Sequence, residues 1–233
     1  MNDLKNKILL SDVTLRDGNH AVSHQLSMDQ IASYCDAIDS SGISIVEVGH
    51  GNGLGASSLQ VGESLVSDKD MLTIARKHLK KTKLGIHVIP GFATIERDIR
   101  PAIDYGVDVF RIACHCTEAD ITERHIRFVK AEGLTVFGVL MMSHMASKEQ
   151  LANEAKKMQD YGAEAVILMD SSGNYLPIDV KNKVSFLVRN LKISVGFHAH
   201  NNLGMGVANS IVAVESGALL IDGSSKGFGA GAG

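Results

Sequence analysis

The chain has no tryptophan, only 5% aromatic residues, three prolines and three cysteines in 233 residues. Cys35, Cys114 and Cys116 form an odd set without framework spacing, which excludes a disulfide scaffold and fits a reducing compartment. Cys114 and Cys116 alternate with His115 along an apolar run, a poor basis for a closed zinc site, and are read as packing residues. Charge of one sign is also lacking. A formal charge of −3 creates no field that collects nucleic acid or anionic lipid, so neither is expected as a partner. No apolar run reaches the roughly 18 residues that span a bilayer, and the stretch from Met1 to Lys7 lacks the apolar centre of a signal peptide, so a cytoplasmic location is expected. With no linker or low-complexity stretch, residues 1–233 read as a single domain.

What is present is a regular alternation of strand-length apolar runs with amphipathic helix-length stretches. Strands are predicted at residues 8–14, 45–50, 83–89, 109–113, 135–142, 165–169, 193–198 and 219–223. Helices are predicted after Ser27, after Ser67, through Ile95, Ile99 and Ile103, after Thr117, after Ser147, from about 178 to 188 and from about 205 to 215. The serines are candidate N-caps, and Thr117 with Asp120 makes a capping-box pattern. Gly42, Gly106, Gly162 and Gly217 stand where a left-handed helix stop is expected. Eight strands with seven intervening helices count out an α/β fold, a (β/α)8 TIM barrel of eight parallel strands with the eighth helix missing from the chain. That gap is expected to leave apolar barrel surface uncovered between the first and seventh helices.

In such barrels the chemistry sits at the C-terminal ends of the strands. Arg16, Asp17 and His20, then His50, His87, His115, His144, Asp170, Ser171, His198 and His200 all sort to that end, whereas His24, His78 and His125 read as ordinary helix or loop residues. His198 and His200 are two apart in a strand, so they share a face about 7 Å apart along the backbone. With Asp17 they make a two-histidine, one-carboxylate face suited to a divalent metal; the alternative is a hydrogen-bonded polar cluster. Arg16 is placed to hold a carboxylate or an enolate oxygen, or else to pair with Asp17. His20 is a candidate general base, or an exposed loop residue. Gly51 to Ala56 formally matches a dinucleotide fingerprint, but no helical period opens at its third small residue, so NAD is not expected; PLP is not expected either. The run from Gly227 to Gly233 reads as a close backbone approach to a ligand or a mobile end. Lys226 alone comes near an inner strand end, and a Schiff-base lysine is discounted.

With Thr14-Leu15-Arg16-Asp17-Gly18-Asn19-His20-Ala21, Glu47-Val48-Gly49-His50-Gly51-Asn52-Gly53-Leu54-Gly55, Thr117-Glu118-Ala119-Asp120 and Phe197-His198-Ala199-His200-Asn201-Asn202-Leu203-Gly204, the chain resembles the 4-hydroxy-2-oxovalerate aldolases. These belong to the metal-dependent TIM-barrel lyases that also include hydroxymethylglutaryl-CoA lyase and isopropylmalate synthase. The resemblance implies that Asp17, His198 and His200 hold a divalent metal, usually Mn2+, with Mg2+ or Co2+ as alternatives. It implies His20 as the base, Arg16 as the enolate stabiliser, and Ser171 beside Arg16 at the substrate. The implied reaction cleaves a 4-hydroxy-2-oxo acid such as 4-hydroxy-2-oxopentanoate to pyruvate and an aldehyde. His20 stands where acyl-CoA members of the superfamily carry other residues, which separates an aldolase from a synthase. The resemblance also implies a C-terminal helical region beyond Gly233, with a substrate-side tyrosine and contacts to an acylating acetaldehyde dehydrogenase. The competing expectations are an acyl-CoA synthase or lyase of the same superfamily and, from another class, a shortened, non-catalytic barrel subunit; an oligomer is a further expectation.

Overall fold

A computed structural model describes residues 8–232. Eight parallel strands close into one ring in chain order: β1 (Leu9–Asp12), β2 (Ile45–Glu47), β3 (Lys83–Val88), β4 (Val109–His115), β5 (Thr135–Met141), β6 (Ala165–Asp170), β7 (Ser194–Ala199) and β8 (Leu220–Gly223). Closure is direct, with Leu9 opposite Leu220 and Asp12 opposite Gly223. Between the strands run α1 (Met28–Ile38), α2 (Asp68–His78), α3 (Arg100–Asp104), α4 (Glu123–Ala131), α5 (Lys148–Tyr161), α6 (Pro177–Asn190) and α7 (Gly206–Glu215). The predicted barrel with seven helices is what the described residues form. Among them no helix is long and apolar enough to cross a membrane.

Two apolar layers hold the ring. Outward strand residues such as Val46, Leu84, Ile112 and Phe197 pack under the helices, while Ile45, Val109, Val139, Ile167 and Leu220 fill the lumen. Burial on both faces explains why the strands read as continuous apolar runs rather than alternating ones. Side chains alternate faces, so Glu47, Arg111 and Asp222, each two residues past a lumen residue, also point inward. Gly196 fits beneath them because a Cβ there would come within 2.8 Å of Ile167 Cγ1.

The helix starts follow the expected capping chemistry at three of the four predicted sites. Ser27 and Ser147 form full capping boxes with Gln30 and Gln150; Ser67 caps α2. Thr117 is a correction: it caps nothing, because its hydroxyl bonds to His115 Nδ1 at 2.8 Å, and a 3-10 turn over Ala119–Thr122 precedes α4. The helix expected through Ile95 and Ile103 is split into a π turn, Ile95–Ile99, and the short α3. Asp98 accepts both Thr94 N at 2.6 Å and Thr94 Oγ1 at 3.0 Å. Gly42, Gly106, Gly162 and Gly217 all adopt positive φ, although only Gly162 is itself the helix cap.

The uncovered surface is also present. Ile8 and Leu10 outside β1, Ile221 on β8, and Val207, Ile211 and Val214 on α7 line a groove of about 970 Å³. Val207 is 77% exposed and Ile211 56%.

Candidate functional site

The chain leaving β1 turns at once: Arg16 N and Asp17 N both bond to Val13 O, and a 3-10 turn over Asp17–Val22 folds back across the barrel mouth. This brings Asp17 to His198, near the end of β7, and to His200 just past it. One ligand atom from each of the three lies within 4.8 Å of the others, and the two imidazole centroids are 5.0 Å apart. His198 Nδ1 is bonded to Asp222 Oδ2 at 2.8 Å, so the proton sits on Nδ1 and the Nε2 lone pair is left open. His200 Nε2 is buried with no hydrogen-bond partner, 3.9 Å from Asp17 Oδ1. An orphaned imidazole nitrogen beside a carboxylate and a pre-set second imidazole suits a divalent cation, which accepts one lone pair from each. The set that sequence spacing pointed to is therefore assembled with a chemistry that fits a metal.

Beneath the trio lies a buried charged layer. Arg16 Nε donates to Glu47 Oε1 at 2.5 Å and its Nη1 to Asp17 Oδ1 at 2.8 Å. Arg111 lies 2.9 Å from Glu47 Oε2 and 2.5 Å from Asp222 Oδ2. A continuous path thus runs from Asp17 through Arg16, Glu47, Arg111 and Asp222 to His198. Burial alone raises carboxyl pKa values, but the guanidinium charges outweigh it: Asp222 is brought down to about 2, and Asp17 and Glu47 are held well below the usual carboxylate range. Burial, then the proximity of the His198 imidazole, brings His200 down to about 4, which keeps its lone pair available. Arg16 Nη2 is buried and unpartnered, so one donor of the fork remains free for an anion.

His20 is half-buried over Gly51, and burial, with the charge of Arg16 and the nearby His24 ring adding, pulls it below its ordinary value against the pull of Asp17. Ser171 lies just past β6, where its hydroxyl accepts from Met142 N at 2.9 Å. Asp170 organises its own turn instead, accepting from Asn174 N and Tyr175 N. Lys226 is exposed. The glycine-rich end does approach closely: Phe228–Gly229 pairs with Gly231–Ala232, and Ala230 N donates to Asp17 Oδ2 at 2.8 Å. Gly233 lies outside the described residues. No helix opens at Gly51 to Ala56; the next begins at Asp68.

Three residues of the charged layer, Glu47, Arg111 and Asp222, had no assigned role in the sequence reading. The available signal was a lone charge inside an apolar strand run, as in Val109-Phe110-Arg111-Ile112. His87 also faces this layer; it is buried, its Nδ1 has no partner, and burial followed by the Arg16 charge brings it down to about 3. His24 is a second correction. It is no ordinary loop residue but is buried and stacked on His50 at 3.6 Å.

A closed barrel with a buried two-histidine, one-carboxylate set at its strand ends defines a class of α/β-barrel proteins built around one divalent-cation site. Within that class the chain belongs to the HMGL-like family, whose profile matches residues 7–233. It is 66% identical over 226 residues to the 4-hydroxy-2-oxovalerate aldolase of Spirochaeta aurantia, covering 97% of this chain and 66% of that protein. It is 60% identical over 227 residues to the 4-hydroxy-2-oxovalerate aldolase of Pectobacterium atrosepticum, with the same two coverages. The chain therefore spans just under two thirds of the length of these relatives. Among solved structures, the N-terminal domain of a Bacteroides vulgatus protein provisionally assigned as an aldolase superposes with a TM-score of 0.82 at 27% identity, covering 97% of this chain and 75% of that one.

Proposed function

We propose that the chain carries a divalent-metal-dependent aldolase site that cleaves 4-hydroxy-2-oxo acids, 4-hydroxy-2-oxopentanoate in particular, to pyruvate and an aldehyde such as acetaldehyde. The observation that carries this reading is the unpartnered His200 Nε2 facing Asp17 and His198. Asp17, His198 and His200 would hold the cation, with Mn2+ the first choice on the family resemblance. When bound, such an ion supplies chelation of the 2-oxo acid and polarisation of its ketone.

The residues around it divide the remaining work. Arg16, fixed by Glu47 and Asp17, offers its free Nη2 to the enolate oxygen that develops as the C3–C4 bond breaks. His20, uncharged at neutral pH, accepts the proton of the 4-hydroxyl. The bond electrons pass to C3, the aldehyde departs, and protonation at C3 gives pyruvate. Ser171, whose oxygen already accepts from Met142 N, keeps its own proton to donate to the substrate.

The test uses protein stripped with a chelator, with pyruvate release from 4-hydroxy-2-oxopentanoate followed before and after Mn2+ is added. Turnover that returns with Mn2+ and is lost in Asp17→Ala supports the reading. Turnover unaffected by chelation overturns it.

A further inference from the structure

Outside the cation trio, three imidazoles gather over the loop after β2. His24 and His50 stack with centroids 3.6 Å apart and planes 21° apart, and His20 meets His24 edge-on at 5.1 Å and His50 at 6.5 Å. This does not read as a second metal site, because the backbone already occupies both nitrogens of His50 and Nδ1 of His24. Gly51 N donates to His24 Nδ1 at 3.3 Å, Asn52 N donates to His50 Nδ1 at 3.0 Å, and His50 Nε2 donates to Gly62 O at 3.1 Å. These bonds need a lone pair on both Nδ1 atoms, which fixes both rings as the neutral Nε2–H form.

One peptide connects the stack to the reaction residues. A Cβ on Gly51 would lie 2.5 Å from three atoms of the His20 ring, so that ring rests on the bare glycine. The same residue's carbonyl accepts from Arg16 Nη1 at 3.3 Å, while its N–H is held by His24. Gly62 is similarly bare beneath His24, where a Cβ would come within 2.6 Å of Cδ2. His24 is delivered by two consecutive non-glycine residues in the left-handed region, Ser23 at φ 52° and His24 at φ 61°. Strain of that kind persists where surrounding contacts over-determine it, and it clusters at functional sites.

We propose that His24 and His50 are positioning residues: the neutral stacked pair pins the Gly51 peptide and so sets where His20 and Arg16 stand. This rests on the aldolase reading in which His20 is the base. Burial and the proximity of the other imidazoles favour the uncharged rings. The charged or titratable groups facing the cluster are Asp17 and Arg16 from the same loop as His20 and His24, and His50 from the loop after β2.

The experiment compares His24→Phe with His24→Asn. Phenylalanine keeps a ring on His50 but gives Gly51 N no acceptor; asparagine restores an acceptor near the Nδ1 position and tolerates the left-handed backbone. In His24→Phe, kcat should fall at least tenfold while KM and the Mn2+ dissociation constant stay within threefold, and His24→Asn should recover kcat to within threefold of wild type. A kcat for His24→Phe within twofold of wild type, or equal losses in both variants, overturns the proposal. If His24→Phe does not fold, His50→Gln, which loses the acceptor for Asn52 N, should show the same split between kcat and KM. Histidine 15N spectra supply a readout independent of turnover: His24 and His50 should show the Nε2–H form, and His20 ring signals should move in His24→Phe. A wild type that turns nothing over rejects the aldolase reading alone, and unmoved His20 signals then reject the positioning role.

Discussion

Replacing Asp222 by asparagine tests the buried charge layer. Asp17, Glu47 and Asp222 carry three negative charges against the two of Arg16 and Arg111, a net of −1 in a buried layer. The substitution removes that net charge and leaves Arg111 without one partner. It also takes from His198 Nδ1 the carboxylate that fixes its proton and raises the basicity of Nε2. Loss of such a partner typically costs 10–100-fold in metal affinity, or about 1.4–2.7 kcal/mol. Breaking the ion pair, whose side chains are 1% and 3% exposed, costs about 3–5 kcal/mol of stability if the geometry does not relax. Mn2+ titration by calorimetry reads the first quantity and urea unfolding of the apo protein the second. Arg111→Met is the control of opposite sign: it destabilises by a similar amount but leaves a net of −2, so Mn2+ should bind no more weakly than in wild type. Unchanged Mn2+ affinity in Asp222→Asn, or equal weakening in both variants, would refute the account of the layer.

Two further outcomes follow from burial. His24, His50 and His87 titrate below the ordinary histidine value of 6.5 when folded, so between the two values the unfolded chain binds more protons. Their contribution to stability is full above about 6.5 and is lost as the pH falls. His87, brought down to about 3, should alone cost ~2 kcal/mol between pH 6.5 and 5, read as a falling urea midpoint that is shallower in His87→Leu. A midpoint flat over that range contradicts the neutral assignment. On the outer groove, Ile211→Glu should change stability by less than about 0.5 kcal/mol, since that side chain is already exposed, and should reduce binding of a hydrophobic dye. A large loss of stability would mean that α7 is held differently.

The barrel was legible because its strands are buried on both sides and therefore stand out as apolar runs between capped, amphipathic segments. The gathering of Asp17, His198 and His200 was legible because residue spacing in a strand decides which side chains share a face, and because both motifs fall at strand ends. Other parts depended on contacts that no local pattern encodes. Thr117 had the right spacing for a capping box, but β4 runs on to His115, whose ring claims the hydroxyl. His24 looked unremarkable because nothing in Ser23-His24 announces two left-handed residues that swing the ring onto His50. Glu47, Arg111 and Asp222 were visible as charges in apolar surroundings, yet which charge meets which is decided only when distant strands become neighbours.

The pairing of β1 with β8 has a consequence for how the site comes into being. Asp17 follows the first strand, His198 and His200 stand at the end of the seventh, and Asp222 lies in the last, so the three candidate ligands and the carboxylate behind His198 come from the strands at or next to the seam where the ring shuts. A nascent chain cannot assemble the site until its final strand has been made. Any fraying at that seam should dismantle the site while the far side of the ring, from β3 to β6, is still intact.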